Sequence, residues 1–288
     1  MFIACATTAG VGCAAQEKAE EDAPVLAVSV APHAWLVRQI CGPEARVITL
    51  VPAGQSPHSY QPTDQQVSDV MRASLYIRAG VPFERGAWFQ AITKSKKLTV
   101  VDMRTNLKLR ELAHHTHDDG TVHVGGHEMD PHIWLDPTLL IQQARTVNAA
   151  LKVRYPNHAS KHAERLGDLI DRLTKLDEEL RKTLAPFKNR AVFVFHPAWG
   201  YFCDAYGLRQ LAVEAEGKEP TDFELTELQR LARHEGIKVV FVQPQITSRS
   251  AEAVAKTIDG HIAVADPLHE DVIKNLQNFT KSIVSSFE

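Results

Sequence analysis

The sequence predicts an α/β protein of two lobes, each a parallel four-stranded-type sheet covered by helices, joined by one long rigid helix. Three observations predict it. The chain has 288 residues, too many for one small core and comfortable for two domains of ordinary size. Short β-branched apolar runs alternate with helical segments through both halves, the pattern of parallel sheets covered on both faces. Between the halves lies a single uninterrupted amphipathic stretch, residues 160–187.

In the first half VLAVSV (25–30) reads as a strand, with a helix over 33–42 and a second strand RVITLV (46–51). A helix follows Pro62, with Thr63 placed to cap it. LYIRAG (75–80) is a strand ended by Gly80, a helix runs over about 83–93, and LTVVDM (98–103) is the fourth strand. After a long polar loop, 137–153 reads as a helix. The second half repeats the theme, with strands at 191–196, 208–214, 238–243 and 261–266. Helices are expected over about 199–206, 224–235, 248–259 and 270–285.

In the central stretch Leu166, Leu169, Ile170, Leu173, Leu176, Leu180 and Leu184 recur at three- and four-residue steps, with charge on the opposite face. About 27 helical residues span roughly 40 Å, enough to run the height of a two-domain protein. Partnering another chain as a coiled coil is the weaker reading, since the stripe lasts only about four heptads. The expected division is a signal remnant or tether at 1–23, an N-terminal lobe at 24–156, a connecting helix at 157–187 and a C-terminal lobe at 188–288.

Composition narrows the function. The chain is 44% hydrophobic and 23% charged with a net charge of −3, so there is no basic excess to attract nucleic acid. No stretch approaches the roughly 20 apolar residues of a membrane-spanning helix. The four cysteines form no CxxC pair, which excludes a zinc ribbon or thioredoxin motif, and Cys41 and Cys203 read as plain buried thiols. Residues 1–15 are small and apolar and 16–22 abruptly polar, like the tail of a secretory signal followed by a tether. Gly12-Cys13 resembles a lipoprotein cleavage site with Cys13 lipidated, although Gly10 replaces the usual Leu. A periplasmic or extracytoplasmic location follows, with possible anchoring to the membrane.

Fourteen histidines are many for this length, and their contexts matter more than their number. His58 lies in SPHSYQPT (56–63), His132 in DPHIWLDP (130–137) and His196 in FHPAWG (195–200). Asp266 ends the strand IAVAD before Pro267. In open α/β sheets ligands bind outside the carboxyl ends of strands. Two candidates come from each half, so two lobes can close on one ion, and three imidazoles with one carboxylate suit zinc. A lone His at a strand end is more often structural, and Asp before Pro is often a turn former.

These motifs resemble the metal-specific solute-binding proteins of ABC importers, the zinc and manganese group. VPAGQSPHSYQPT (51–63), MDPHIWLDP (129–137), FHPAWGYFCDAYGL (195–208), EAEGKEPT (214–221) and ADPL (265–268) carry the resemblance, in order from about Val25 to the C-terminus. It implies two α/β lobes on a rigid helix and a metal held at their interface by His58, His132, His196 and Asp266. It implies an ABC importer permease with its cytoplasmic ATPase as partner, and a monomeric protein that is not an enzyme. Relatives that favour manganese tend to carry Glu where this chain has His196, so softer nitrogen tips the preference toward Zn2+. A manganese- or iron-binding homologue, a metal-binding surface adhesin and, less favoured, a zinc hydrolase are the alternatives.

Residues 114–127 hold His114, His115, His117, His123 and His127 among Asp and Gly, which reads as an auxiliary metal-capture loop. A solvated loop that binds nothing is its plainer reading. Tyr60, Trp134, Trp199 and Tyr201 flank the ligands as cleft wall or ordinary core. His33 and His269 are expected in capping or surface roles, and Glu214 and Glu219 in a solvated loop at the cleft mouth.

Overall fold

The eight apolar runs form eight strands of four residues each: β1 (Val25–Val28), β2 (Arg46–Thr49), β3 (Leu75–Arg78) and β4 (Thr99–Asp102) in one sheet, β5 (Ala191–Val194), β6 (Arg209–Ala212), β7 (Val239–Val242) and β8 (His261–Val264) in the other. They are seen in a computed structural model, which describes residues 24–112, 129–214, 221–245 and 248–288. Both sheets are wholly parallel, in the orders β2-β1-β3-β4 and β6-β5-β7-β8. β5 and β7 are buried along their full length, whereas the outer strands β2 and β8 are half-exposed. This is why the central strands read as continuous apolar runs. The strands are shorter than the runs because residues such as His196 and Asp266 lie past the last paired residues at the carboxyl edge. The strand order reverses between β1 and β3 and between β5 and β7, the crevices where such sheets take ligands.

Nine helices are described: α1 (Ala31–Cys41), α2 (Asp64–Arg72), α3 (Ala87–Ile92), α4 (Pro137–Arg154), α5 (Ala159–Leu184), α6 (Gly200–Tyr206), α7 (Asp222–His234), α8 (Ser248–Thr257) and α9 (Val272–Phe287). Thr63 caps α2 in a full capping box with Gln66. Asp136 caps α4 by accepting from the Thr138 and Leu139 amides, and Pro137 opens the helix where no N–H is needed. α6 ends at Gly207, whose φ of 69° is left-handed. The helix expected over 83–93 is divided: a 3₁₀ turn (Pro82–Arg85) precedes Gly86, whose extended backbone breaks the run before α3. The turn exists because Glu84 is buried and accepts from the Tyr76 hydroxyl, the Ala79 and Gly80 amides and Arg78 Nε.

The Gln66 side chain also accepts from the Tyr60 hydroxyl at 2.8 Å and donates to Leu50 O at 3.0 Å, so the cap of α2 ties down the loop 50–63 that carries His58. Thr63→Ala is expected to destabilise the fold by about 1 kcal/mol, read as a lower denaturation midpoint at unchanged slope. An unaltered midpoint would remove the cap from the account.

α5 has 26 residues, about 39 Å at 1.5 Å per residue. Leu169, Leu173, Leu176, Leu180 and Leu184 are buried, while Leu166 and Ile170 flank the stripe and are half-buried. The helix packs on α1 and α4 of the N-terminal lobe and on α6 and α9 of the C-terminal lobe. Polar ties follow the same division. Arg172 donates to Gln39 of α1 at 2.9 Å, and the Tyr206 hydroxyl of α6 donates to Asp177 at 3.1 Å. One hydrophobic cluster runs without a break from the N-terminal sheet through α5 to the near face of the second sheet. A separate cluster lies under α7 and α8. Cys41 and Cys203 are buried free thiols.

Candidate metal centre

Three of the four candidate ligands converge. His58 lies in the loop after β2, His132 immediately precedes the 3₁₀ turn Ile133–Leu135, and His196 stands two residues past the end of β5. The ring centroids are 4.8 Å apart for His58–His196, 5.3 Å for His132–His196 and 5.9 Å for His58–His132. One ligand nitrogen from each lies within 4.8 Å of the others. Tetrahedral zinc with Zn–N bonds near 2.05 Å holds nitrogens roughly 3.3 Å apart. A contraction of at most about 1.5 Å would therefore close the trio on an ion.

The hydrogen bonds assign the imidazole faces. His132 Nδ1 lies 2.8 Å from Asp130 Oδ1, and His196 Nδ1 lies 3.1 Å from Glu214 Oε1. A carboxylate accepts, so each Nδ1 carries the proton and each Nε2 keeps its lone pair, the carboxylate–histidine arrangement of metal sites. The Nε2 atoms of His58 and His196 are buried without a hydrogen-bond partner among the described residues. Leaving such atoms unpaired costs about 1–3 kcal/mol each, which a metal ion would recover. Burial, followed by the neighbouring His196 and His132, pushes His58 down to about 3. Burial also lowers His132, opposed by its bond to Asp130. Both rings are neutral at pH 7, the form that ligates.

Asp266 stands apart: among the described residues the close-set ligand group holds the three histidines only. Its Oδ1 accepts from Gln245 Nε2 at 3.0 Å and from the Leu268 amide at 2.9 Å, and its carbonyl accepts from Asn275 at 2.8 Å. The bond to Leu268 is the Asx-turn that Asp before Pro favours. Glu214 departs from expectation. It is buried against His196, rather than solvated at the cleft mouth, because it leaves β6 directly beneath that ring.

Trp134 is fully buried, edge-on to His132 at 5.4 Å, and its Nε1 donates to Pro267 O at 2.6 Å, a link between the lobes. Trp199 stacks on Phe279 as core. Tyr60 shares a recess of about 460 Å³ with His58, Phe83 and Trp88. Tyr201 holds the backbone of Asp130 from behind. His33 is neither cap nor surface. It is fully buried, bonded to Gln143 at 2.9 Å and edge-on to Trp134, because α1 turns that face into the core. His269 Nδ1 accepts from the Asp271 amide ahead of α9, whose cap is the Asp271 side chain and not His269. The loop histidines His114, His115, His117, His123 and His127, together with Glu219 and Cys13, lie outside the described residues.

Sequence reading missed Asp130 and Glu214 as imidazole partners. Asp130 was visible in the D-x-H spacing of DPH, whereas Glu214 is 18 residues from His196 and comes to it only through β6.

Residues 26–286 match the family model "Zinc-uptake complex component A periplasmic". The chain belongs to that family. It is accordingly an extracytoplasmic zinc-binding component of ABC-type zinc uptake. The fold is similar to a crystal structure of ZnuA, with TM-score 0.83 and 31% identity over 92% of this chain and 100% of that one. A zinc-bound ZnuA deletion mutant is similar at TM-score 0.82 and 30% identity, over 92% of this chain and 98% of that one. A putative metal-binding protein of Chlamydia muridarum is 28% identical over 86% of each chain. The zinc-binding protein AdcA of Streptococcus pyogenes serotype M1 is 26% identical over 80% of this chain and 47% of its own length. The chain thus spans about half of the streptococcal proteins.

Proposed function

We propose that the chain captures one Zn(II) between its lobes through Nε2 of His58, His132 and His196, and delivers it to the permease of an ABC importer. Asp266 is the fourth donor in this reading, reached when the cleft contracts, since hydrogen bonds among the described residues occupy only its Oδ1. The observation that carries the proposal is the convergence of three imidazoles, two of them with buried Nε2 atoms that have no hydrogen-bond partner among the described residues. Three nitrogens favour zinc over manganese, which prefers harder oxygen.

The number of gathered ligands does not separate capture from hydrolysis, because three protein ligands with an open position also describe a catalytic zinc. Family membership favours capture, and we propose a chain without catalytic activity. The lobes divide at 156/157 and 187/188 in this reading. The protein acts as a monomer, with anchoring through a lipid on Cys13 supported by the Gly12-Cys13 signal. The loop histidines 114–127 feed the cleft. The continuous core along α5 resists wide hinge opening, so release uses movement of the loop carrying His58 or a tilt of the C-terminal lobe. The permease biases that equilibrium by binding one state more tightly.

The test is titration of the metal-free chain with zinc against a chromophoric chelator. One tight equivalent is expected, retained in a variant with all five loop histidines replaced by alanine and not displaced by a hundredfold excess of manganese. Absence of a tight equivalent, or its displacement by manganese, would refute the proposal.

A further inference from the structure

Behind the imidazoles, Arg110 touches both lobes. It lies in the segment after β4, and the Asp130 amide donates to its carbonyl at 3.0 Å. Its Nη1 donates to Asp130 Oδ2 at 3.0 Å, and its Nε donates to Asp204 Oδ2 at 2.9 Å, on α6 of the C-terminal lobe. The carboxylate of Asp130 is therefore shared: Oδ2 serves Arg110, while Oδ1 serves His132 through both Nδ1 and the backbone amide. Tyr201, also on α6, donates its hydroxyl to Asp130 O at 3.0 Å and accepts from the Arg110 amide at 3.1 Å. α6 begins four residues after His196, so this helix governs where that imidazole stands.

Gly200 makes the approach possible. A Cβ at this position would be driven into the Arg110 guanidinium and would lie 2.9 Å from Asp130 Oδ2. Asp130 is fully buried, and a buried carboxylate that loses its cation becomes an uncompensated charge. Only a planar fork reaches two carboxylates in fixed directions at once; a lysine ammonium is a single point charge.

We propose that Arg110 is a positioning residue for metal capture: one guanidinium holds His132 through Asp130 and α6 through Asp204, and so sets the spacing between the ligands from the two lobes. This rests on the assignment of His132 and His196 as zinc ligands. An ion pair that merely stabilised the fold would change the unfolding midpoint of the metal-free protein and leave the geometry at the metal untouched.

The experiment compares wild type, Arg110→Met, Arg110→Lys, Gly200→Ala and His132→Ala by zinc competition and by the visible spectrum of the cobalt(II)-loaded protein. Loss of a partner that orients a metal-ligating histidine typically weakens binding about 10–100-fold. That loss is expected for Arg110→Met, with a smaller one for Arg110→Lys. Gly200→Ala should follow Arg110→Met although the arginine is still present, because the methyl displaces the guanidinium. The cobalt bands should shift in both. Zinc affinity within twofold of wild type in Arg110→Met and Gly200→Ala, beside a weakened His132→Ala, overturns the inference and leaves the ligand assignment standing. Wild-type affinity in His132→Ala overturns both. If Arg110→Met does not fold, Arg110→Lys and Gly200→Ala decide by the same criterion.

Discussion

Replacing His196 by alanine is expected to weaken zinc binding by about 10²–10³-fold. Apparent binding free energies of structural zinc sites run to about 10–16 kcal/mol over four ligands, or roughly 2.5–4 kcal/mol for each. His196 is the one imidazole of the trio drawn from the C-terminal lobe, so its loss removes both a bond and the reason for the lobes to close. The protein should stay folded, because the change also removes a buried Nε2 atom that has no hydrogen-bond partner among the described residues. Glu214 would be left without its imidazole, and part of any fall in stability belongs to that pair. Equilibrium dialysis beside thermal unfolding separates the two effects. One-to-one zinc of unchanged affinity in His196→Ala would eliminate the three-imidazole site.

Acidification should destabilise the metal-free protein through its buried histidines, and His33 should account for about 2–3 kcal/mol of the loss between pH 7 and 4.5. Burial pushes His33 from 6.5 down to about 4, with its bond to Gln143 opposing the shift. The folded state therefore refuses a proton that the unfolded chain accepts. Stability is full above pH 6.5, falls as the unfolded chain protonates, and stops falling from this source near pH 4. His58, at about 3, and His132, also lowered by burial, act in the same direction. Zinc bound to those two rings would keep them unprotonated in the folded state, so it would not relieve their share or that of His33. Denaturant unfolding at pH 7 and pH 4.5, for wild type and His33→Gln, isolates the term. Glutamine keeps an N–H for Gln143 and cannot titrate in this range. An equal pH dependence in the two proteins would assign the acid sensitivity elsewhere.

The depressed pKa of His58 also sharpens what proton competition can do. A ring that stays neutral to about pH 3 in the folded state does not itself oppose zinc at pH 5. Acid release through this ligand would require the site to open first and readmit water to the imidazole.

Much of this protein is local and was legible from residues alone. The eight strands follow from β-branched runs, the long helix from a leucine stripe and the start of α2 from Thr63. These depend on backbone propensity and hydrophobic period, which act over a few residues. The remainder was settled by chain topology, which brings together residues that no period relates. His33 meets Gln143 across 110 positions, Arg110 meets Asp204 across 94, and Glu214 arrives under His196 because β6 lies beside β5. Asp266 shows the boundary most clearly. Its sequence permits both a ligand and a turn, and in the fold its Oδ1 is taken by Gln245 and Leu268 while the histidines gather without it. Sequence alone named the imidazoles; only the tertiary structure supplied the carboxylates and the guanidinium that orient them, because a hydrogen bond is decided by distance in space and not by separation along the chain.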